Sequence, residues 1–136
     1  PKLYFLDTGL ACFLSGIRTR EALSTSSMLG PLFETLVLGQ IVRALANGGK
    51  PTSIYFYRDH QGHEVDSLIP VGEQLKLFEC KWSEAVSAEQ KGFEVVEEAA
   101  GSRNVMSRSV VTPLRNRRTL GNGLLLVRDC VDFQDL

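Results

Sequence analysis

Between residues 31 and 47 apolar side chains recur at three- and four-residue spacing: Phe33, Leu36, Val37, Leu38, Ile41, Val42 and Leu45. That period predicts a helix with a wide buried stripe. Pro31 suits its first turn and Gly48-Gly49 its end. The pattern then changes. Residues 53–58, 63–69 and 74–82 are rich in β-branched and aromatic side chains and predict three strands. Asp59-His60-Gln61-Gly62 and residues 70–73 supply the turns, and such short connections imply an antiparallel meander. Ser87-Ala88-Glu89-Gln90 has the spacing of a capping box, which predicts a helix over 88–100 with Phe93, Val96 and Ala100 facing inward and Gly101 just past its end. Residues 105–111 and 124–128 predict two more strands, with helix 88–100 as the crossover between the third strand and the fourth. At the start, residues 2–6 predict a short strand. Asp7-Thr8-Gly9 caps a short helix through Leu14, which Gly16 ends, and residues 18–28 read as a polar loop. The order β–α–α–β–β–β–α–β–β defines an α/β or α+β domain with a mixed sheet.

The chain has 136 residues, the size of one domain, with 43% hydrophobic and 23% charged residues. This composition excludes a disordered chain. A net charge of -1 excludes a globally basic nucleic-acid binder but not a local basic patch. No apolar run approaches the ~18 residues of a membrane span. The start carries neither a secretory pattern nor an initiator Met, so the chain reads as a piece of a longer polypeptide. Cys12, Cys80 and Cys130 are sparse and odd in number, which predicts small buried thiols in a cytoplasmic protein rather than a disulfide framework.

Three acids fall where packing alone does not explain them. Strand alternation puts Glu64, Asp66 and Leu68 on one face, and Leu75, Leu77, Glu79 and Lys81 on one face of the next strand. Neighbouring strands bring Asp66 and Glu79 together, and two close carboxylates repel unless a cation or proton intervenes. Such hard oxygen ligands suit Mg²⁺ or Mn²⁺. Lys81 could orient a water or stabilise charge on phosphate. Glu34 lies on or beside the buried stripe of the main helix, where an unpaired carboxylate is costly. Glu64 reads as a solvated or networked residue.

An Asp, a short turn and Glu-x-Lys on the next strand resemble the PD-(D/E)xK nuclease superfamily, and Glu34 matches the acid that many members carry on the first core helix. Residues 1–10, Leu32-Phe33-Glu34-Thr35, residues 57–66 and Phe78-Glu79-Cys80-Lys81-Trp82-Ser83 are similar to the DUF4143 domain. Val65 stands where the superfamily's namesake proline would be. The resemblance implies a single nuclease-like domain over 1–136, with a restriction-endonuclease-like mixed β-sheet flanked by helices in αβββαβ order. It implies a Mg²⁺- or Mn²⁺-dependent phosphodiester hydrolase with catalytic Glu34, Asp66, Glu79 and Lys81. Asp66 and Glu79 would hold the metal, with Glu34 binding it directly or through water. It also implies that the domain follows an AAA-type ATPase module in a prokaryotic protein, with DNA ahead of RNA as substrate. A non-catalytic module of the same fold, binding nucleic acid or a partner for the ATPase, is the alternative. An oligomerisation domain is a third. The chain contains no P-loop of its own.

His60 and His63 lack partners at zinc-site spacing and read as surface residues of the hairpin. Trp82 and the Tyr55-Phe56-Tyr57 run read as core. From 99 to 128 there are arginines at 103, 108, 115, 117, 118 and 128 and no acid. Arg115, Arg117 and Arg118 fall in a loop-like stretch and are candidates for phosphate contact, or for contact with the ATPase module. If they grip duplex DNA, replacing all three with Ala flattens the salt dependence of binding by up to about three log units per log unit of salt, about 0.9 for each lost phosphate contact. Fluorescence anisotropy across a salt series reads that slope, and an unchanged slope removes the arginines from the interface.

Overall fold

Asp7 accepts a hydrogen bond from the Leu10 backbone N–H at 2.9 Å and starts α1 (Thr8–Leu14). Gly16 follows at φ +73°, a backbone conformation open to glycine at little cost. In this computed structural model, which describes residues 2–83, 85–87, 89–113, 118–121 and 125–128, the segment before α1 pairs with no strand. The strand expected over 2–6 is instead a strap laid across the acidic residues described below. The expected loop over 18–28 contains a helix, α2 (Arg20–Ser24), which Thr19 caps by accepting from the Ala22 N–H at 3.1 Å.

The long periodic segment forms α3 (Leu29–Asn47). Phe33, Val37, Ile41 and Leu45, each one turn after the last, pack with Ile69, Phe78 and Val111 on one face of the sheet. By length and composition α3 could cross a membrane, which the reading of apolar runs did not anticipate. Its buried side chains rest on the sheet, so here it is a core helix.

The strands are β1 (Tyr55–Arg58), β2 (Glu64–Val71), β3 (Gln74–Cys80), β4 (Val105–Val111), β5 (Arg118–Leu120) and β6 (Leu125–Arg128). They form a sheet in the order β1-β2-β3-β4-β6-β5. β1, β2 and β3 make the expected antiparallel meander, and β3 and β4 are parallel. The fold is therefore α/β, a mixed sheet flanked by helices. β5 occupies part of the stretch read as a loop, so Arg118 lies on a strand that pairs with β6.

β3 and β4 are joined through α4 (Lys91–Ala100). Its Phe93 and Val96 bury against Val65, Leu77 and Val110 on the sheet face opposite α3, each such burial stabilising by ~1.5–3 kcal/mol. The helix starts later than the capping-box spacing predicts. Ser87 Oγ instead accepts from the Glu89 N–H at 3.1 Å, and Gln90, in the N-cap position, sends its side chain elsewhere. Ala88 lies outside the described residues. Tyr55 and Phe56 are exposed rather than core, because β1 is an edge strand. Trp82 is half exposed and meets Phe33 edge-on, with ring centroids 5.2 Å apart. Cys12 and Cys80 are partly buried, and Cys130 lies outside the described residues.

Gly92 fixes how close α4 comes to the sheet. A Cβ there would sit 2.0 Å from the Glu64 carbonyl oxygen and 3.2 Å from Val65 Cγ2. The first turn of α4 thus rests directly on the β2 backbone. Gly92→Ala should lower stability by about 1–3 kcal/mol or more, the usual range for overpacking. Gly30→Ala, whose added Cβ meets nothing within 4 Å, should be neutral or better. Urea unfolding of the two variants checks this, and equal midpoints would contradict the close approach.

Candidate active site

The site grows out of an irregularity in β2. Tyr57 pairs with Val65, yet Tyr55 pairs with Leu68, so two steps along β1 match three along β2. Asp66 and Ser67 together oppose Phe56, which is a β-bulge. The expected alternation of Glu64, Asp66 and Leu68 on one face fails for this reason. Leu68 packs with the apolar residues beneath α4, whereas Glu64 and Asp66 share a cation on the other side. The regular β2–β3 ladder ends at Ser67 and Phe78. Beyond that point Asp66 Oδ2 accepts the Cys80 N–H at 2.8 Å, so a carboxylate takes the place of a ladder carbonyl.

The shared cation is Lys2, on the strap before α1. Its ammonium lies 3.1 Å from Glu34 Oε1 and 3.5 Å from Asp66 Oδ1, and it also pairs with Glu64. Tyr4 donates its hydroxyl to the same Glu34 oxygen at 2.5 Å. α3 thus supplies one acid and β2 supplies two. Burial opposes the charge on Lys2, but hydrogen bonds to Glu64 and Glu34 outweigh it and hold the ammonium above its ordinary range. Burial and the bond to Glu34 push the Tyr4 phenol upward as well.

Glu79, on β3, joins the group through its field. Burial first, then the charge of Asp66, pushes its carboxyl up to about 8, with Glu64 and Glu34 adding to the rise and Lys81 opposing it. Asp66 is pushed up to about 6 by burial and then by Glu34, while the Cys80 N–H and Lys2 pull the other way. Lys81 donates to Gln90 Oε1 at 2.6 Å, and Gln90 in turn donates to the Ser87 carbonyl at 2.9 Å. The side chain that the capping-box spacing assigned to the helix end therefore holds the lysine.

The structure thus gathers Glu34, Asp66 and Glu79 with Lys81 near one end of the sheet. It adds Lys2, Tyr4, Glu64 and Gln90. Lys2 and Tyr4 were missed because their approach depends on a strap without regular structure. Among the described residues, no three His, Cys, Asp or Glu side chains converge closely enough to form a metal cage. The donor set still suits Mg²⁺ or Mn²⁺ chemically, because these ions commonly take one or two carboxylates and complete their shell with water or phosphate. No acid lines either of the described cavities. One of about 310 Å³ is bounded by Leu3, Phe5, Leu14, Met28 and Leu32. His63 bonds Asp59 at 2.7 Å within the hairpin. Arg118 is exposed on β5, and Arg115 and Arg117 lie outside the described residues.

A mixed sheet between helices, with one buried and three partly buried acids and two lysines at one end, defines an α/β domain built around an acidic centre. The chain belongs to the family described as domain of unknown function DUF4143, whose model matches residues 29–128. It is 37% identical over 81 residues to an uncharacterized protein of Mycobacterium bovis, Mb2031c, and to one of Mycobacterium tuberculosis, Rv2008c. That stretch is 60% of this chain and 18% of each relative, so the chain matches under a fifth of the length of these relatives. No solved structure matches.

The raised carboxyls make a signed prediction. A carboxyl raised in the folded state binds more protons there than in the unfolded chain. Stability therefore falls as pH rises from the ordinary value of 4.5 through about 8 for Glu79. Glu79→Gln should remove this loss. The variant should match wild type near pH 4 and exceed it at pH 8, with a flatter profile between. Thermal unfolding across that range is the measurement, and parallel profiles would place Glu79 in water.

Proposed function

We propose that this domain is a nuclease-type hydrolase of the PD-(D/E)xK kind, acting on nucleic-acid phosphodiesters with Mg²⁺ or Mn²⁺, DNA ahead of RNA. The observation that carries the reading is the meeting of Glu34 and Asp66 at one end of the sheet, beside a Lys81 that Gln90 restrains. The Glu79 carboxyl agrees with it, being driven up to about 8 by burial and by Asp66, with the Lys81 charge opposing. Shifted carboxyls of this kind, set beside specific charged partners, are typical of functional sites. Asp66 and Glu79 would hold the cation, with Glu34 reaching it directly or through water. When bound, the cation supplies Lewis acidity toward a phosphate oxygen and lowers the pKa of a water. Lys81 is restrained by Gln90, so its charge is held in place before substrate arrives. A fixed ammonium stabilises charge developing on phosphate, or orients a water, without reorganising during the reaction. Arg115, Arg117 and Arg118 are the proposed phosphate grips. The proposal extends to a cytoplasmic location and to an ATPase module as the domain's partner.

A second reading has its own observation. The Lys2 ammonium stands among Glu34, Glu64 and Asp66. A positive side chain lodged there favours a non-catalytic module of the same fold, binding nucleic acid or the ATPase module.

Incubation of the protein with single- and double-stranded DNA and with RNA, in Mn²⁺ or Mg²⁺, separates the two. The first reading expects cleavage by wild type and a loss of about 10²-fold or more in Lys81→Ala, the usual cost of removing one such electrostatic group. Mn²⁺ affinity should change little, because a charged lysine is no ligand. Equal cleavage by both proteins would remove Lys81 from the chemistry. Binding without cleavage by wild type would support the second reading.

A further inference from the structure

We propose that Lys2 is a built-in competitor for the cation: its ammonium and a divalent metal exclude one another at the acidic centre, and the strap lifts when metal binds. The inference rests on the proposed metal chemistry and adds a residue and a movement to it. Lys2 reaches three carboxylates from two elements, Glu34 on α3 and Glu64 and Asp66 on β2. It brings one positive charge to these three acids, and a divalent ion brings two. Both cations draw on Asp66 and Glu34, so both cannot be seated fully at once.

The strap is built to move. Residues 2–6 belong to no helix or strand. Leu3 is 90% exposed and Leu6 59% exposed, so little apolar burial opposes lifting it. Its described polar ties are few. Lys2 bonds the acids, Tyr4 bonds Glu34, and Arg43 donates to the Leu6 carbonyl at 3.3 Å. The Lys2 ammonium also lies 5.4 Å from the centre of the Phe56 ring, on the edge strand beside the bulge. Two of those ties end on Glu34. A cation that engaged Glu34 would loosen Lys2 and Tyr4 together.

The test is Mn²⁺ titration of wild type and Lys2→Met by calorimetry, with hydrogen exchange of the residue 3–6 amides recorded in wild type with and without Mn²⁺. Methionine keeps most of the stem and removes the charge. If the site is closed about nine-tenths of the time, Lys2→Met should bind Mn²⁺ about tenfold more tightly, since apparent affinity falls with the open fraction. In wild type, Mn²⁺ should speed exchange in the strap. Equal or weaker Mn²⁺ binding by Lys2→Met with unchanged strap exchange would overturn the proposal, as would no Mn²⁺ binding by either protein. The exchange measurement stands even if the variant folds poorly. Cleavage is scored separately. A Lys2→Met protein that binds Mn²⁺ more tightly yet cuts nothing would leave the competition standing and remove the nuclease reading.

Discussion

Acids gathered from α3, β2 and β3 share one end of the sheet, where burial penalises their charge and each raises the cost of the next. That repulsion is the constraint to which the surrounding structure answers. Lys2 supplies an ammonium, Tyr4 a hydroxyl, and Cys80 a backbone N–H. The Glu79 carboxyl is raised to about 8 by burial and by Asp66, which favours its neutral form. These devices reduce the tension without removing it. A centre left short of positive charge is suited to taking up a cation, and the same shortage explains why a lysine from outside the sheet is drawn into it.

Two backbone features shape the charged centre. The bulge in β2 inserts one residue, so Leu68 turns to the α4 side while Asp66 stays with Glu64 and meets Glu34 around Lys2. The bare α-carbon of Gly92 lets the first turn of α4 rest on the Glu64 carbonyl. That close approach sets Gln90 beside Lys81. Neither feature adds much packing of its own. Each decides where a side chain points, which is the common role of bulges beside functional sites.

The two sheet faces divide the work. The α3 side carries the apolar column from Phe33 to Leu45 and, at its N-terminal end, Glu34 with its lysine and tyrosine partners. The α4 side carries Lys81 held by Gln90. Asp66 links them, bonding the β3 backbone with one oxygen and facing Lys2 with the other. A fold of this kind hosts more than one chemistry. The reading as a nuclease therefore depends on these side chains and not on the sheet.

The sequence by itself determined the elements whose period is long or whose turns are short. The four-residue recurrence from Phe33 to Leu45 could bury only as a helix face, and the brief turns after Arg58 and Val71 forced β1, β2 and β3 to run antiparallel. It also marked Glu34, Asp66, Glu79 and Lys81, because carboxylates and an ammonium among apolar neighbours need a reason to be there. Tertiary structure decided how they meet. A bulge changes the facing of every residue beyond it and leaves no periodic trace, so Leu68's turn away from the side of Glu64 and Asp66 was not legible. Gln90 carried the pattern of a helix cap, yet Lys81, nine residues earlier and just past the end of β3, took its amide oxygen. Lys2 and Tyr4 sit in a strap without regular structure, and their contacts to Glu34 span 32 and 30 residues. Local pattern cannot encode a charge pair of that range, because its energy exists only once the chain has closed.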